Sequence, residues 1–188
     1  MKVKPTPLHK AVIFELEPIE DQRGFFARTF CKKTLAEQGL NFDVVQTNVA
    51  FNRHRNTLRG MHFQRPPYSE DKIVSCISGA LYDVIIDLNS QSPTFGQWFG
   101  VTLTAENRLS LYVPKGFAHG YLTLSEDTTI SYMVSQYYTS SHESGVRWDD
   151  KAFQIQWPER EGLIISLKDQ NWNDFKDSIG SIFSSEGD

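Results

Sequence analysis

Leu81-Tyr82-Asp83-Val84-Ile85-Ile86-Asp87-Leu88 is the stretch on which the fold class turns. Tyr82, Val84, Ile86 and Leu88 alternate with Asp83 and Asp87, a period of two that belongs to a strand and not to a helix. Six further short runs rich in β-branched or aromatic residues lie on either side, at 11–16, 44–48, 72–77, 98–104, 109–113 and 128–136. Turn chemistry separates them in Ser78-Gly79, Asn89-Ser90-Gln91-Ser92-Pro93 and Pro114-Lys115-Gly116. Turns recurring about ten residues apart suggest a β-sandwich, jelly roll or barrel. Helical signal is confined to 32–38, closed by Gly39, and a weaker candidate at 172–179. With no linker, repeat or low-complexity segment, the sequence predicts one all-β domain over 1–188. Its core runs from about 10 to 170, short helices lie at its periphery, and the polar tail 181–188 is expected to fray.

The chain has 188 residues, 39% hydrophobic and 22% charged, enough for one sizeable core. Thirteen Phe, seven Tyr and four Trp favour strands, or a site that grips flat or sugar-like ligands. A formal net charge of -4 argues against a nucleic-acid partner. Cys31 and Cys76 form no Cys-x-x-Cys motif and read as reduced thiols. Met1-Lys2-Val3-Lys4-Pro5 leads into no signal-peptide core, and no apolar run approaches the ~20 residues that span a bilayer. The expectation is a cytoplasmic protein with no membrane partner.

Several constellations are able to carry chemistry. In Thr57-Leu58-Arg59-Gly60-Met61-His62-Phe63-Gln64, regular alternation would send Arg59, Met61 and Phe63 one way and Leu58, Gly60, His62 and Gln64 the other. Here a histidine beside a glycine leaves room for a ligand against the backbone, or is simply a satisfied core histidine. Pro114-Lys115-Gly116-Phe117-Ala118-His119-Gly120 presents a second histidine, and Gly120 again permits a close approach. Tyr132 reads as packing with one wet edge, and Asp169 in Ser166-Leu167-Lys168-Asp169 as a cap or turn residue. Arg53, His54, Arg55 and Arg59 form either a solvated basic loop or a phosphate clamp. The five histidines show no His-x-His pair or other local ligand pattern, so no metal is expected.

Taken together and in order, these stretches resemble the dTDP-4-dehydrorhamnose 3,5-epimerase family. Those that carry the resemblance include Asp21-Gln22-Arg23-Gly24-Phe25-Phe26, Gln46-Thr47-Asn48, LRGMHFQ at 58–64, SPTFGQW at 92–98, VPKGFAHG at 113–120, Tyr137-Tyr138, Trp148-Asp149-Asp150 and Ser166-Leu167-Lys168-Asp169. The likeness runs from about residue 10 to about 170. It implies a cupin-type double-stranded β-helix (jelly roll), a homodimer, a nucleotide-sugar substrate, and no metal or other cofactor.

Residue by residue, His62 matches the family's base, Asp169 the partner of that base, and Tyr132 the acid; Lys72 and His119 line the sugar pocket. Gln46, Asn48 and Arg59 match ligand contacts, and Tyr138 an aromatic beside the nucleoside. Arg23 and Phe26 match residues that reach into a neighbouring subunit's site. Arg28, Glu143 and Lys168 complete the substrate-binding candidates.

This chain departs from the pattern at Arg28, where the family commonly has Glu, at Ser75, where it commonly has Arg, and in Val49-Ala50-Phe51, where it is more polar. These changes are expected at the nucleotide end or the dimer edge. Rival readings are C3-only epimerisation, a different nucleotide, a non-catalytic sugar-binding jelly roll and a metal-dependent cupin.

Overall fold

The computed structural model describes residues 1–176, so the tail 181–188 and part of the helix candidate 172–179 lie outside the described residues. In chain order it runs β1 (Lys2–Pro5), β2 (Val12–Glu15), β3 (Ile19–Asp21), β4 (Gly24–Phe26), α1 (Lys32–Glu37), β5 (Gln46–Asn52), β6 (Thr57–Gln64), β7 (Lys72–Ser78) and β8 (Ala80–Asp87). It continues through β9 (Trp98–Thr104), β10 (Leu109–Val113), β11 (Phe117–Thr123), β12 (Thr128–Val134), β13 (Glu143–Gly145), β14 (Ile164–Ile165) and α2 (Leu167–Gln170).

Two sheets face each other, ordered β1-β2-β10-β7-β12-β5 and β13-β6-β11-β8-β9, and β14 joins β6 in parallel. This is the expected jelly roll of cupin type with short peripheral helices. The β3–β4 hairpin forms a separate two-stranded sheet. Helix α1 ends where expected: Gln38 is the C-cap, and Gly39 follows at φ +73°, a left-handed position that glycine adopts without penalty.

Alternation along each strand sorts side chains into three cores. Leu81 and Ile85 of β8 meet Val74, Cys76, Leu111, Val113 and Ile130 of the opposite sheet, between the two layers. Val84, Ile86 and Leu88 point the other way, with Leu58, Met61 and Phe63, under a cover of Phe153, Ile155, Trp157 and Phe175 from the C-terminal segment. On the outer face of the six-stranded sheet, α1 and the loop after it cap Phe14, Ile73 and Tyr112 with Leu35, Leu40 and Phe42. The strand that decides the fold is therefore buried on both faces. Its Asp83 lies in the row that faces the interior, not solvent, and is 0% exposed.

Register explains two departures from expectation. β5 runs to Asn52, well past the predicted 48, because it tracks β12 residue for residue from Gln46↔Val134 to Asn52↔Thr128. Between β6 and β11, His119 pairs with His62 but Tyr121 pairs with Arg59, so three steps on β6 oppose two on β11. This bulge inserts one residue and inverts the phase of the strand. Arg59 consequently shares a side with His62, against the regular alternation expected above. The glycines at the bulge make room for the neighbouring strand: a Cβ on Gly60 (φ +132°) would lie 2.5 Å from Gly120 Cα, and one on Gly120 2.5 Å from Met61 Sδ.

Candidate active site

A cavity of about 370 Å³ opens between the sheets, lined by Gln46 and Asn48 of β5, His62 and Gln64 of β6, Lys72 of β7 and Tyr132 of β12. Glu70, Tyr138 and Glu143 complete its polar wall. An inner cavity of about 180 Å³ shares His62, Lys72 and Tyr132 and adds Ala50, Arg59, His119, Tyr121 and Ile130.

His62 and Asp169 are 107 residues apart in sequence, and the backbone brings them together. Ile164 and Ile165 pair with Thr57 and Leu58, laying the C-terminal segment beside β6. Ser166 then caps α2, its Oγ accepting the Asp169 N–H at 3.1 Å. The Asp169 side chain, expected on local grounds to be the cap, is thus freed. Its Oδ1 lies 2.6 Å from His62 Nε2, and its Oδ2 accepts the Gly60 N–H at 3.3 Å. Burial pushes the Asp169 carboxyl up, but the hydrogen bond and charge of His62 and the bonds from Gly60 and Ser166 outweigh it and hold the group below its usual range. An ionised carboxylate only accepts, so Nε2 carries a proton, and whenever the imidazole is neutral its lone pair is on Nδ1.

A second pair of the same kind stands one strand away. His119 Nε2 lies 2.6 Å from Asp83 Oδ1, while Asp83 Oδ2 is buried without a hydrogen-bond partner among the described residues. Sequence reasoning passes over Asp83 because an acid alternating with apolar residues reads as the wet face of a strand. It also passes over Glu70, whose Oε1 lies 3.0 Å from Lys72 Nζ.

On the facing sheet, burial raises the Tyr132 pKa, the Glu70 charge raises it further and the Arg59 charge opposes them, so the phenol keeps its proton at neutral pH. Arg59 Nε donates to Asn52 Oδ1 at 2.9 Å, and the Tyr121 hydroxyl donates to the same oxygen at 3.2 Å. At the mouth, the Tyr138 hydroxyl donates to Glu143 Oε2 at 2.6 Å, Lys168 pairs with Glu143 Oε1 at 2.6 Å, and Gln46 Oε1 accepts the Tyr138 N–H at 2.9 Å.

The structure thus gathers His62, Tyr132, Lys72, Gln46, Asn48, Arg59, His119, Tyr138 and Glu143 on the walls of these two cavities, with Asp169 holding His62 and Lys168 holding Glu143. Three candidates stay outside them. Arg23 and the 68% exposed Phe26 sit on the β3–β4 hairpin, where Arg23 pairs with Asp21 of the same hairpin, and Arg28 is exposed just beyond. Of the basic cluster, Arg59 lines the inner cavity. Arg53, His54 and Arg55 occupy the β5–β6 turn at the far end of β5 from Gln46, with His54 3.5 Å from Glu126.

Ser75 bonds Ser110, and Val49 and Phe51 are exposed on the sheet exterior, but Ala50 lines the inner cavity beside Arg59. The departures were expected at the nucleotide end or the dimer edge; Ala50 instead shares the inner cavity with His62 and Tyr132, because period-two alternation turns every second residue of β5 inward. Among the described residues, no group of three or more His, Cys, Asp or Glu is placed to hold a metal ion, and no helix is long and apolar enough to cross a membrane.

This geometry has known counterparts. A family model described as dTDP-4-dehydrorhamnose 3,5-epimerase matches residues 5–177. A relative of that name from Methanothermobacter thermautotrophicus is 41% identical over 175 residues, covering 92% of this chain and 94% of its own. The crystal structure of a dTDP-4-dehydrorhamnose 3,5-epimerase from Elizabethkingia anophelis is similar with a TM-score of 0.91 at 41% identity, over 94% of this chain and 97% of that one. One from Bacillus anthracis, solved with TDP and PPi bound, gives 0.89 at 43% identity over 92% and 98%.

Proposed function

The chain belongs to the dTDP-4-dehydrorhamnose 3,5-epimerase family, and we propose that it converts dTDP-4-dehydro-6-deoxyglucose to dTDP-4-dehydrorhamnose by inverting C3 and C5. The observation that carries this reading is the His62–Asp169 pair at 2.6 Å on the wall of a cavity that also holds Lys72 and Tyr132. A protein that merely bound sugars would have no use for a base held by a buried carboxylate.

The substrate's own ketone makes the reaction accessible. Protons on C3 and C5 are both α to the C4 carbonyl, so each can leave as the C–H electron pair moves into a C–C double bond and the carbonyl electrons onto the C4 oxygen. His62 Nδ1 takes the proton and Asp169 stabilises the resulting imidazolium, an arrangement typically worth ~10²–10⁴-fold. Lys72 faces the enolate oxygen with a positive charge; one such donor contributes about 3–4 kcal/mol. Tyr132, on the opposite sheet, returns a proton to the other face of the carbon. The bond order then reverts and the stereocentre is inverted; His62 passes its proton to solvent and Tyr132 recovers one from it before the second carbon reacts, so protonation and oxidation state are both restored.

Arg59 and Lys168 supply positive charge for the diphosphate, and Gln46, Asn48, Tyr138 and Glu143 surround the nucleoside end. Binding energy there is remote from the reacting carbons and positions them. Arg23 and Phe26, exposed on a hairpin and otherwise unexplained, complete the mouth of the site in a partner copy, so the active species is a homodimer. The test is incubation with dTDP-4-dehydro-6-deoxyglucose in D2O containing chelator, counting deuterium at C3 and C5 by NMR. Two deuterons in an inverted product are expected. Exchange at C3 alone favours the monoepimerase reading, and no exchange refutes the enzyme.

A further inference from the structure

Lys72 is a long, flexible side chain asked to place one charge accurately, and the segment that carries it is held by a defined set of hydrogen bonds. The segment leading into β7 is pinned by Asp71. Its Oδ1 accepts the Tyr112 hydroxyl at 2.8 Å and the Lys115 N–H at 3.0 Å, and its own N–H donates to Ser135 Oγ at 2.8 Å. Side chains of an extended chain alternate, so with Asp71 fixed outward its two neighbours, Glu70 and Lys72, turn inward together. Both line the cavity, and their charged ends lie 3.0 Å apart with side chains only 10% and 13% exposed.

We propose that Glu70 is a positioning residue, whose carboxylate holds the Lys72 ammonium at the cavity wall shared by His62 and Tyr132 and so aims it at the enolate oxygen. The inference rests on the epimerase reading given above and deepens it. A shielded ammonium without a counter-ion would pay a desolvation cost, and its four-carbon stem would let it swing out to water. Glu70 occupies one of its three N–H donors and leaves two for the substrate. Removing only the charge of Glu70 therefore leaves Lys72 present but loosely aimed. A misplacement of about 1 Å costs on the order of 100-fold, so a kcat loss of ~10- to 100-fold is expected.

The experiment measures deuterium incorporation from D2O into dTDP-4-dehydro-6-deoxyglucose by wild type, Glu70→Gln, Lys72→Met and the double variant, with dTDP binding and thermal melting alongside. Wild-type exchange establishes the reaction itself; its absence defeats the epimerase reading before Glu70 is in question. With wild type active, Glu70→Gln should lose kcat ~10- to 100-fold while dTDP binding stays within about twofold. In the Lys72→Met background the Glu70 change should cost nothing further, because its effect passes through the missing ammonium. A wild-type kcat in Glu70→Gln, a loss expressed wholly as weaker dTDP binding, or losses that multiply in the double variant would each overturn the proposal. Should Glu70→Gln melt early, the double variant, which leaves no uncompensated charge, is compared with Lys72→Met alone. Equal turnover supports the proposal and a multiplied loss overturns it.

Discussion

Replacing Asp169 by Asn keeps the shape of the side chain and changes one atom, and the structure shows what that atom decides. The carboxylate accepts twice, from His62 at 2.6 Å and from the Gly60 N–H at 3.3 Å. Asn has one acceptor and one donor. If its oxygen faces His62, its NH2 is forced against the Gly60 N–H. If it turns over, its NH2 must donate to Nε2, which places the imidazole proton on Nδ1 and abolishes the free lone pair. The lost charge-assisted bond is worth about 1.5–3 kcal/mol to the imidazolium, or roughly 10- to 100-fold. The tautomer penalty adds to it, so a kcat loss of ~10²–10⁴-fold is expected, with dTDP affinity unchanged. Deuterium incorporation at C3 and C5 followed by NMR, with dTDP titration calorimetry as control, reads both quantities. Turnover within about fivefold of wild type would refute the dyad argument. The same variant carries a stability signature. Because the folded Asp169 carboxyl sits below its ordinary value, its contribution is present above about pH 4 and is lost as pH falls through the lower folded value. Asp169→Asn should accordingly flatten the acid limb of the wild-type unfolding profile.

Tyr132→Phe should keep substrate binding and measurable exchange at C3 but lose inversion at C5, seen by NMR as an accumulating C3 epimer; unchanged double inversion would remove Tyr132 from the mechanism. Phe26→Ala and Arg23→Ala should weaken dTDP binding and lower turnover of a dimer detected by light scattering, whereas a fully active monomer would refute the shared site. Gly120→Ala must push a methyl into Met61 and the Arg59 carbonyl, and should lower stability to urea by about 1–3 kcal/mol.

How far the sequence carried depended on how local each signal was. Strands β9 and β10 fall at their predicted residues because their periodicity and bounding turns are contained within each segment. The ends of β5 and β12 depend on each other's register, which no window along one strand contains. Arg59 and His62 share the cavity only through a bulge whose existence depends on how β11 is paired, so alternation alone sent Arg59 to the wrong side. The His62–Asp169 contact was invisible to spacing and came from the family resemblance, since parallel pairing of two residues, Ile164 and Ile165, is what closes it. Asp83 and Glu70 were missed for a related reason. An acid in an alternating strand or before one reads as surface, and burial inverts that meaning.

The two-layer fold also suits the stereochemistry asked of it. His62 and His119 are cross-strand neighbours on β6 and β11, each held by a buried carboxylate. Lys72 and Tyr132 stand on β7 and β12 of the other sheet. On the proposed mechanism a planar enolate lying between the layers presents one face to His62 and the other to the Tyr132 phenol. Inversion requires a proton to leave from one face and return to the opposite one, and a single sheet cannot present groups to both. Two sheets pack about 10 Å apart, and His62 and Tyr132 line the same cavity from opposite sheets, which is the placement that a proton leaving one face and returning to the other requires. Both sheets are backed on their outer faces by packed cores, the support that a precisely spaced pair of catalytic walls calls for.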